Sequence, residues 1–382
     1  MVRIPRKYAW WLAALLASAG AVFGQAPEGP ITPKPGERVQ QAPPEAQAKL
    51  KIGVNLVNMA VTVRSHDGAM VHDLQAKDFH ITDNGIEQKI THFDLGGDPV
   101  SVVILIETSS RVESLLPELR KTGILFTQTV MGPAGEGAVV GFNDSVDKLQ
   151  DFTTNANAIE TTVGQLQTGT SGLRLYDAMA VGIEMLSDRP QPTPEKPGRR
   201  RILLVMSEAM DSGSEMKFGE VLRRAQLANV TIYSVGLSTT RAEWHNQTRE
   251  SPSPIAPPGI STVPGPPGMP QTAPPQSAAQ SGGVDLLGIA IWAVQHVEGE
   301  VKARPLEVAT VGTGGAYYST FKDQSIEKAI DEIGGELHAQ YTVSYAPTDG
   351  DQLGYHEIRV ELDRKDLKVR ARPGYYVAPP AS

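Results

Sequence analysis

The chain of 382 residues carries 35 Lys and Arg against 43 Asp and Glu, a net charge of −8, and no cysteine. With 20% charged and 40% hydrophobic residues it has the make-up of a globular chain, long enough for two or three domains. The acidic balance argues against a basic nucleic-acid groove, and the lack of cysteine excludes disulfides, thiolate zinc sites and cysteine nucleophiles.

Arg3, Arg6 and Lys7 open the chain, and an apolar run from Trp10 to Val22 closes on small residues near Gly24. That run is shorter than the ~20 apolar residues an ordinary spanning helix needs. Residues 1–24 therefore read as a secretory signal peptide cut near Gly24 or Ala26, with an uncleaved anchor as the alternative. The mature protein is expected outside the cytoplasm, periplasmic or extracellular, without a stable membrane span. Residues 25–48 hold six prolines and read as an extended linker.

Residues 49–96 have a period of two. Ile52, Val54 and Leu56 alternate, then Val57, Met59, Val61 and Val63 take the opposite phase, as a β-bulge near Leu56 would produce. His66-Asp67-Gly68 and Asp83-Asn84-Gly85 are turn signals, the second between strand-like Phe79–Ile81 and Ile86–Ile90. Residues 337–378 behave alike, with alternation through Tyr341, Val343 and Tyr345, then Ile358, Val360 and Leu362, then Leu367 and Val369. Each β segment alone is too small for a stable core, so the two chain ends are expected to form one sandwich of six or seven strands.

Residues 97–336 alternate strands with helices. Val100–Ile106 is continuously apolar, the mark of a strand buried on both faces. A helical pattern through Val112, Leu116, Leu119 and Phe126 follows, then strands at 138–142 and 146–152, and helices around 159–166 and 175–186. Beyond the loop Pro190–Arg201 come strand 202–206, helix 218–228 and strand 230–237. A Pro-rich insert at 238–283 follows, then helices at 284–296 and 305–311, strand 316–318 and helix 326–337. This predicts an α/β domain, a doubly wound, mostly parallel sheet covered on both faces. The insert should leave the carboxyl edge of that sheet.

In such a sheet ligands bind beyond the carboxyl ends of the strands, where the strand order reverses. With order 3-2-1-4-5-6, the first and fourth strands deliver Glu107-Thr108-Ser109-Ser110-Arg111 and Ser207-Glu208-Ala209 to one crevice. Carboxylates and hydroxyls gathered there are the donors that a hard divalent cation takes.

These two segments, together with Gly141-Phe142-Asn143-Asp144 and Leu175-Tyr176-Asp177-Ala178, resemble a von Willebrand factor type A domain. The wider arrangement is similar to the acidobacterial "VWFA-related domain" proteins. There a segment like Val54-Asn55-Leu56-Val57 with Asp78-Phe79 precedes the domain. Segments like Gln340–Tyr345 and Val369–Tyr376 follow it. Apart from the Pro-rich insert, the resemblance spans roughly residues 50–378 and implies a Rossmann-like domain in a non-enzymatic, adhesion-type module that binds protein partners.

The resemblance also implies a metal site, from which this chain departs. Glu107 and Ser109 stand where an aspartate and a serine are expected, Arg111 replaces a serine, and Glu208 stands where an aspartate follows the fourth strand. Leu173 falls at the threonine, unless a shifted loop offers Thr168, Thr170 or Ser171. Mg2+ demands near-octahedral geometry, and glutamate moves both acidic ligands by a methylene. The reading adopted has no cofactor, with the Arg111 guanidinium between Glu107 and Glu208 in the place of the cation. A solvent-facing Arg111 and a retained Mg2+ stand as alternatives. Glu107, Ser109, Ser110, Arg111 and Glu208 form the expected partner-binding rim.

Enzyme motifs are lacking: there is no P-loop, no Gly-x-Ser-x-Gly elbow and no His-Glu-x-x-His. A cell-envelope hydrolase stands only as a remote alternative. Gly312-Thr313-Gly314-Gly315 reads as a helix stop. His66 and His72 read as exposed side chains beside a turn, Arg199-Arg200-Arg201 as a solvated edge, and Tyr375 and Tyr376 as strand packing.

Overall fold

The computed structural model describes residues 56–96, 98–190, 199–238, 286–296, 301, 304–320, 325–350 and 352–378, all within the compact unit Lys51–Ser382. The expected signal peptide, the linker at 25–48, the side of the bulge at 52–54 and the insert beyond Ser238 lie outside the described residues.

The two ends of this unit interleave. β1 (Val57–Arg64), β2 (Phe79–Asp83), β3 (Ile86–Gln88) and β4 (Ile90–Leu95) come from the amino-terminal part. β11 (Tyr341–Tyr345), β12 (Gly354–Leu362), β13 (Lys368–Arg370) and β14 (Gly374–Val377) come from the carboxyl-terminal part. They form two four-stranded sheets, ordered β13-β1-β11-β4 and β14-β12-β2-β3. Val57, Met59, Val61 and Val63 of β1 meet Tyr341, Val343 and Tyr345 of β11 and Phe79 and Ile81 of β2 in one core. The alternation seen in the sequence is thus the inward face of the sandwich. The described sandwich has eight strands rather than six or seven, because β3 and β4 are distinct strands that join opposite sheets. Asn84 and Gly85 both have positive φ, 48° and 81°, as the tight turn between β2 and β3 requires.

Between these segments lies the six-stranded sheet. β5 (Val100–Glu107) is central, flanked by β6 (Glu136–Phe142) and the antiparallel edge strand β7 (Val146–Thr153) on one side. On the other lie β8 (Arg200–Ser207), β9 (Val230–Gly236) and β10 (Tyr317–Ser319), all parallel to β5. The order is β10-β9-β8-β5-β6-β7, so strand order reverses between β5 and β8. Helices cover both faces. Val103 and Leu105 of β5 pack toward α4 (Leu175–Ser187), α5 (Phe218–Leu227), α6 (Leu286–Gln295) and α7 (Pro305–Thr313). Val102, Ile104 and Ile106 pack toward α3 (Ala156–Gly164) and α8 (Ile326–Ala339). A strand buried on both sides has no polar alternation to show, which explains the continuous apolar run.

The helix expected through Val112–Phe126 is broken. It consists of α1 (Leu116–Leu119) and α2 (Gly123–Leu125), joined by 3-10 turns and followed by the π-helical turn Phe126–Met131. Thr122, Thr127 and Thr129 donate their hydroxyls to the carbonyls of Leu119, Ile124 and Leu125, competing with regular helix bonding. Leu116, Leu119, Phe126 and Val130 still reach the core, so the apolar pattern was read correctly while the helix geometry was not. Gly314 ends α7 at φ 82°, as the helix stop predicted, and a Cβ there would meet the Arg372 backbone at 2.5 Å.

Sandwich and sheet meet at Glu336 on α8. Its buried carboxylate pairs with Arg64 of β1 at 3.0 Å and with Arg370 of β13, and accepts from the Tyr233 hydroxyl of β9 at 2.7 Å. A further departure from the sequence reading lies at the amino edge of the sheet. Arg200 and Arg201 are buried, 9% and 4% exposed, because β8 begins at Arg200 and takes both arginines into the layer instead of leaving them on a solvated edge. Arg199 remains in contact with Glu136 at 3.3 Å.

Candidate functional site

β5 and β8 end side by side, with Ile106 in register with Met206, and so bring Glu107 and Ser207–Glu208 together at the carboxyl edge. Glu107 is fully buried. Its carboxylate accepts from the hydroxyl of Ser109 at 2.5 Å, the hydroxyl of Ser207 at 2.7 Å and the backbone N–H of Glu208 at 2.9 Å. Burial raises the Glu107 pKa above the ordinary 4.5, the three donors oppose that rise, and the nearby Glu208 charge adds to it.

Three loops lace this edge together. Thr108 donates its N–H to the Phe142 carbonyl at 2.8 Å and accepts from Gly169 N–H at 2.7 Å, and Ser110 N–H reaches Thr170 O at 3.0 Å. Asn143 donates its side-chain amide to the Thr108 hydroxyl at 3.2 Å. Gly169 lies so close that a Cβ there would meet Asn143 Nδ2 at 2.2 Å. The loop after β8 is bound to the start of α4. Ser214 Oγ accepts from the N–H groups of Tyr176 and Asp177 at 3.0 and 3.1 Å, capping a helix whose own N-cap residue, Arg174, offers no side-chain cap. In return the Asp177 carboxylate accepts from the N–H groups of Glu215 and Met216 at 3.1 and 2.9 Å and pairs with Arg174. Asp211 completes the exchange by accepting from the Ser214 hydroxyl at 2.5 Å.

The expected ion pair of Arg111 with Glu107 and Glu208 is not formed. Arg111 Nε donates to the Ser171 carbonyl at 3.1 Å, and Nη1 lies 3.4 Å from Met210 Sδ. The physical reason is that the Glu107 carboxylate is already satisfied by three neutral donors from its own and the neighbouring strand end. Arg111 is therefore held at the outer side of the rim, half-buried. Ser110 is exposed, whereas Glu107, Ser109 and Glu208 are buried, so the surface open to a partner is narrower than the five-residue set.

Two of the positions that the resemblance assigns to a divalent ion are engaged otherwise in this chain, while the loop of Thr170 and Ser171 lies against the rim through its backbone. Ser109 Oγ donates to Glu107, and Leu173 brings no side-chain oxygen and is buried in the apolar core. A fixed guanidinium stands in the same loop. Among the described residues no three His, Cys, Asp or Glu side chains gather as metal ligands, and His66 and His72 are exposed.

Asp177, Asp211 and Ser214 were not among the residues singled out for the rim. Asp177 stands within the Leu-Tyr-Asp-Ala segment that carried the resemblance, which was the available signal; Asp211 and Ser214 had none. Ala209, directly after Glu208, adopts φ 62°, a left-handed conformation that a residue with a Cβ seldom takes.

A central β5 next to β8, the reversal between them, and an antiparallel hairpin strand β7 at one edge together decide the fold. The α/β layer has the Rossmann-like fold layout of a von Willebrand type A domain. No family model and no curated protein matches this chain. Solved structures do. The von Willebrand domain of the type V pili tip protein Mfa5 from Porphyromonas gingivalis is 17% identical, with TM-score 0.25, over 30% of this chain and 39% of that one. An aerotolerance-related membrane protein from Bacteroides fragilis, carrying mutations to serine, is 13% identical, with TM-score 0.36, over 62% of this chain and 98% of its own. The conserved hypothetical protein BatB from Bacteroides thetaiotaomicron gives 13%, 0.37, 62% and 98%. The fold assignment rests on the strand order of this chain. Among the described residues no helix is long and apolar enough to cross a membrane.

Proposed function

We propose that this type A domain, carried on its sandwich, is an exported, non-enzymatic module that binds a protein partner at the carboxyl rim without a metal ion. The observation that carries the reading is the closed state of Glu107. Its carboxylate is engaged by Ser109, Ser207 and Glu208 N–H, with Arg111 held beside it through Ser171. A rim laced by backbone bonds between three loops is a rigid platform, which lowers the entropy cost of binding a partner surface. Ser110 and Arg111 are the residues of that platform with open surface. The basic and apolar start of the chain supports export, and the order of its motifs supports membership of the acidobacterial VWFA-related group.

The test is capture of partners from the native envelope fraction by wild type and by Arg111→Glu, each with EDTA and with Mg2+. The reading expects a protein retained by wild type in both conditions and lost by the variant, with unchanged melting of the variant. Retention only with Mg2+ would favour a metal-dependent adhesion protein, and equal retention by the variant would remove the rim from the interface.

A further inference from the structure

The amino edge of the same sheet holds an arrangement that the rim does not account for. Arg200, Arg201 and Arg372 are each at least nine-tenths buried. Among the described residues none forms an ion pair, and their guanidinium groups lie mostly against carbonyl oxygens. Arg200 donates to Leu337 O at 2.5 Å and Asp98 O at 3.2 Å, Arg201 to Ala228 O at 2.8 Å and Ser187 O at 2.9 Å, and Arg372 to Gly374 O at 2.8 Å. The Nε atoms of Arg200 and Arg201 are buried without any hydrogen-bond partner. All three residues line one cavity of about 30 Å³ between the two domains. Asn58 of β1 and Thr342 of β11 enter it from the sandwich, and Thr231 of β9 from the sheet.

Elsewhere some half-buried arginines meet acids, whereas Arg120 and Arg223, which keep open surface, donate to carbonyls as the buried three do. Arg370 and Arg64 share Glu336, and Arg189 pairs with Glu136 at 2.8 Å. The acids that act on Arg200 and Arg201, namely Asp94 and Asp98 for one and Asp188 for the other, do so only from beyond ion-pair distance. A buried carboxyl or amine can shed its charge, but arginine keeps its proton in proteins. Carbonyl dipoles compensate part of that charge, and the remainder calls for an anion.

We propose that this interdomain cavity is a binding site for one small monovalent anion of chloride size, which pins the sandwich to the type A domain. Its accessible space of about 30 Å³ is enough for an ion of that size. The anion would sit against side chains from both domains, so its binding stabilises their docking and not either part alone. The site is independent of the partner-binding rim.

The test is thermal unfolding of the whole protein at constant ionic strength, with gluconate replaced stepwise by chloride or bromide. A specific site raises the melting temperature with the logarithm of halide concentration, by about 2–4 °C at a hundredfold excess over Kd. Arg201→Met and Arg372→Met should each lose that shift. Should either variant fail to fold, anomalous scattering from bromide-grown crystals of the wild type reads the site directly, with a peak expected in the cavity. Equal melting in gluconate and chloride, a halide shift that persists in both variants, or bromide found only on the surface would each overturn the proposal.

Discussion

At the carboxyl edge of the central sheet Glu107 is buried among two hydroxyls and a backbone N–H, whereas at the amino edge Arg200 and Arg201 are buried among carbonyls. Both edges take a charge out of water without an opposing one, but the two charges have different escapes. Burial raises the Glu107 pKa, so a proton can neutralise it; arginine has no such route. The carboxyl edge is therefore closed by titratable chemistry and neutral donors, and the amino edge by carbonyl dipoles and the anion we propose there. Glu336 gives the third case, in which acid and arginines meet.

Breaking that third case should have the largest effect. Glu336→Gln keeps the volume and leaves Arg370 and Arg64 without their acid, an expected loss of about 3 kcal/mol in denaturant unfolding. A loss below about 1 kcal/mol would mean that the joint between the domains does not depend on this charge. Arg201→Met comes next. It orphans the carbonyls of Ala228 and Ser187 while filling the space, for an expected loss of about 2 kcal/mol. A neutral or stabilising result would show that the buried charge is itself the burden.

Glu107→Gln separates the edges by pH. With a folded pKa above the unfolded value, Glu107 contributes its stability fully below about pH 4.5, and that stability is lost as pH rises through the folded value. A glutamine cannot ionise, so the melting temperature of the variant relative to wild type should climb between pH 4.5 and neutrality. A difference independent of pH would contradict the raised pKa. The smallest effect belongs to Ala209→Gly, which relieves the left-handed backbone beside Glu208 and should stabilise by about 0.5–1 kcal/mol in the same unfolding assay. A loss of stability there would place the strain elsewhere.

Much of the architecture was legible in local pattern. The continuous run Val100–Ile106, the period-two alternations of β1 and β11, and Asp83-Asn84-Gly85 each report a period or a turn that neighbouring residues dictate by themselves. The pairing of the two chain ends also followed, since neither β segment can bury a core alone. The site was legible only as composition. Spacing brought Glu107 and Glu208 to one crevice, but it assigned Arg111 to them on charge, and charge carries no information on which donors arrive first. Ser109 and Ser207 sit within two residues of a strand end, so they reach Glu107 with little chain to order, while Arg111 must fold back a long side chain.

What the sequence by itself determined was therefore the alternation of strands and helices and the residues at the carboxyl ends of the strands, while the strand order that brings those ends together came from the structure. Tertiary structure alone decided which of these residues touch: the trans cap between Ser214 and α4, and the exclusion of Arg111 from Glu107. It also decided the burial of Arg200 and Arg201, which in the sequence look like any solvated basic run. The physical reason is that periodicity records which side of an element is apolar. The partners of a polar group depend instead on distances set by elements far apart in the chain.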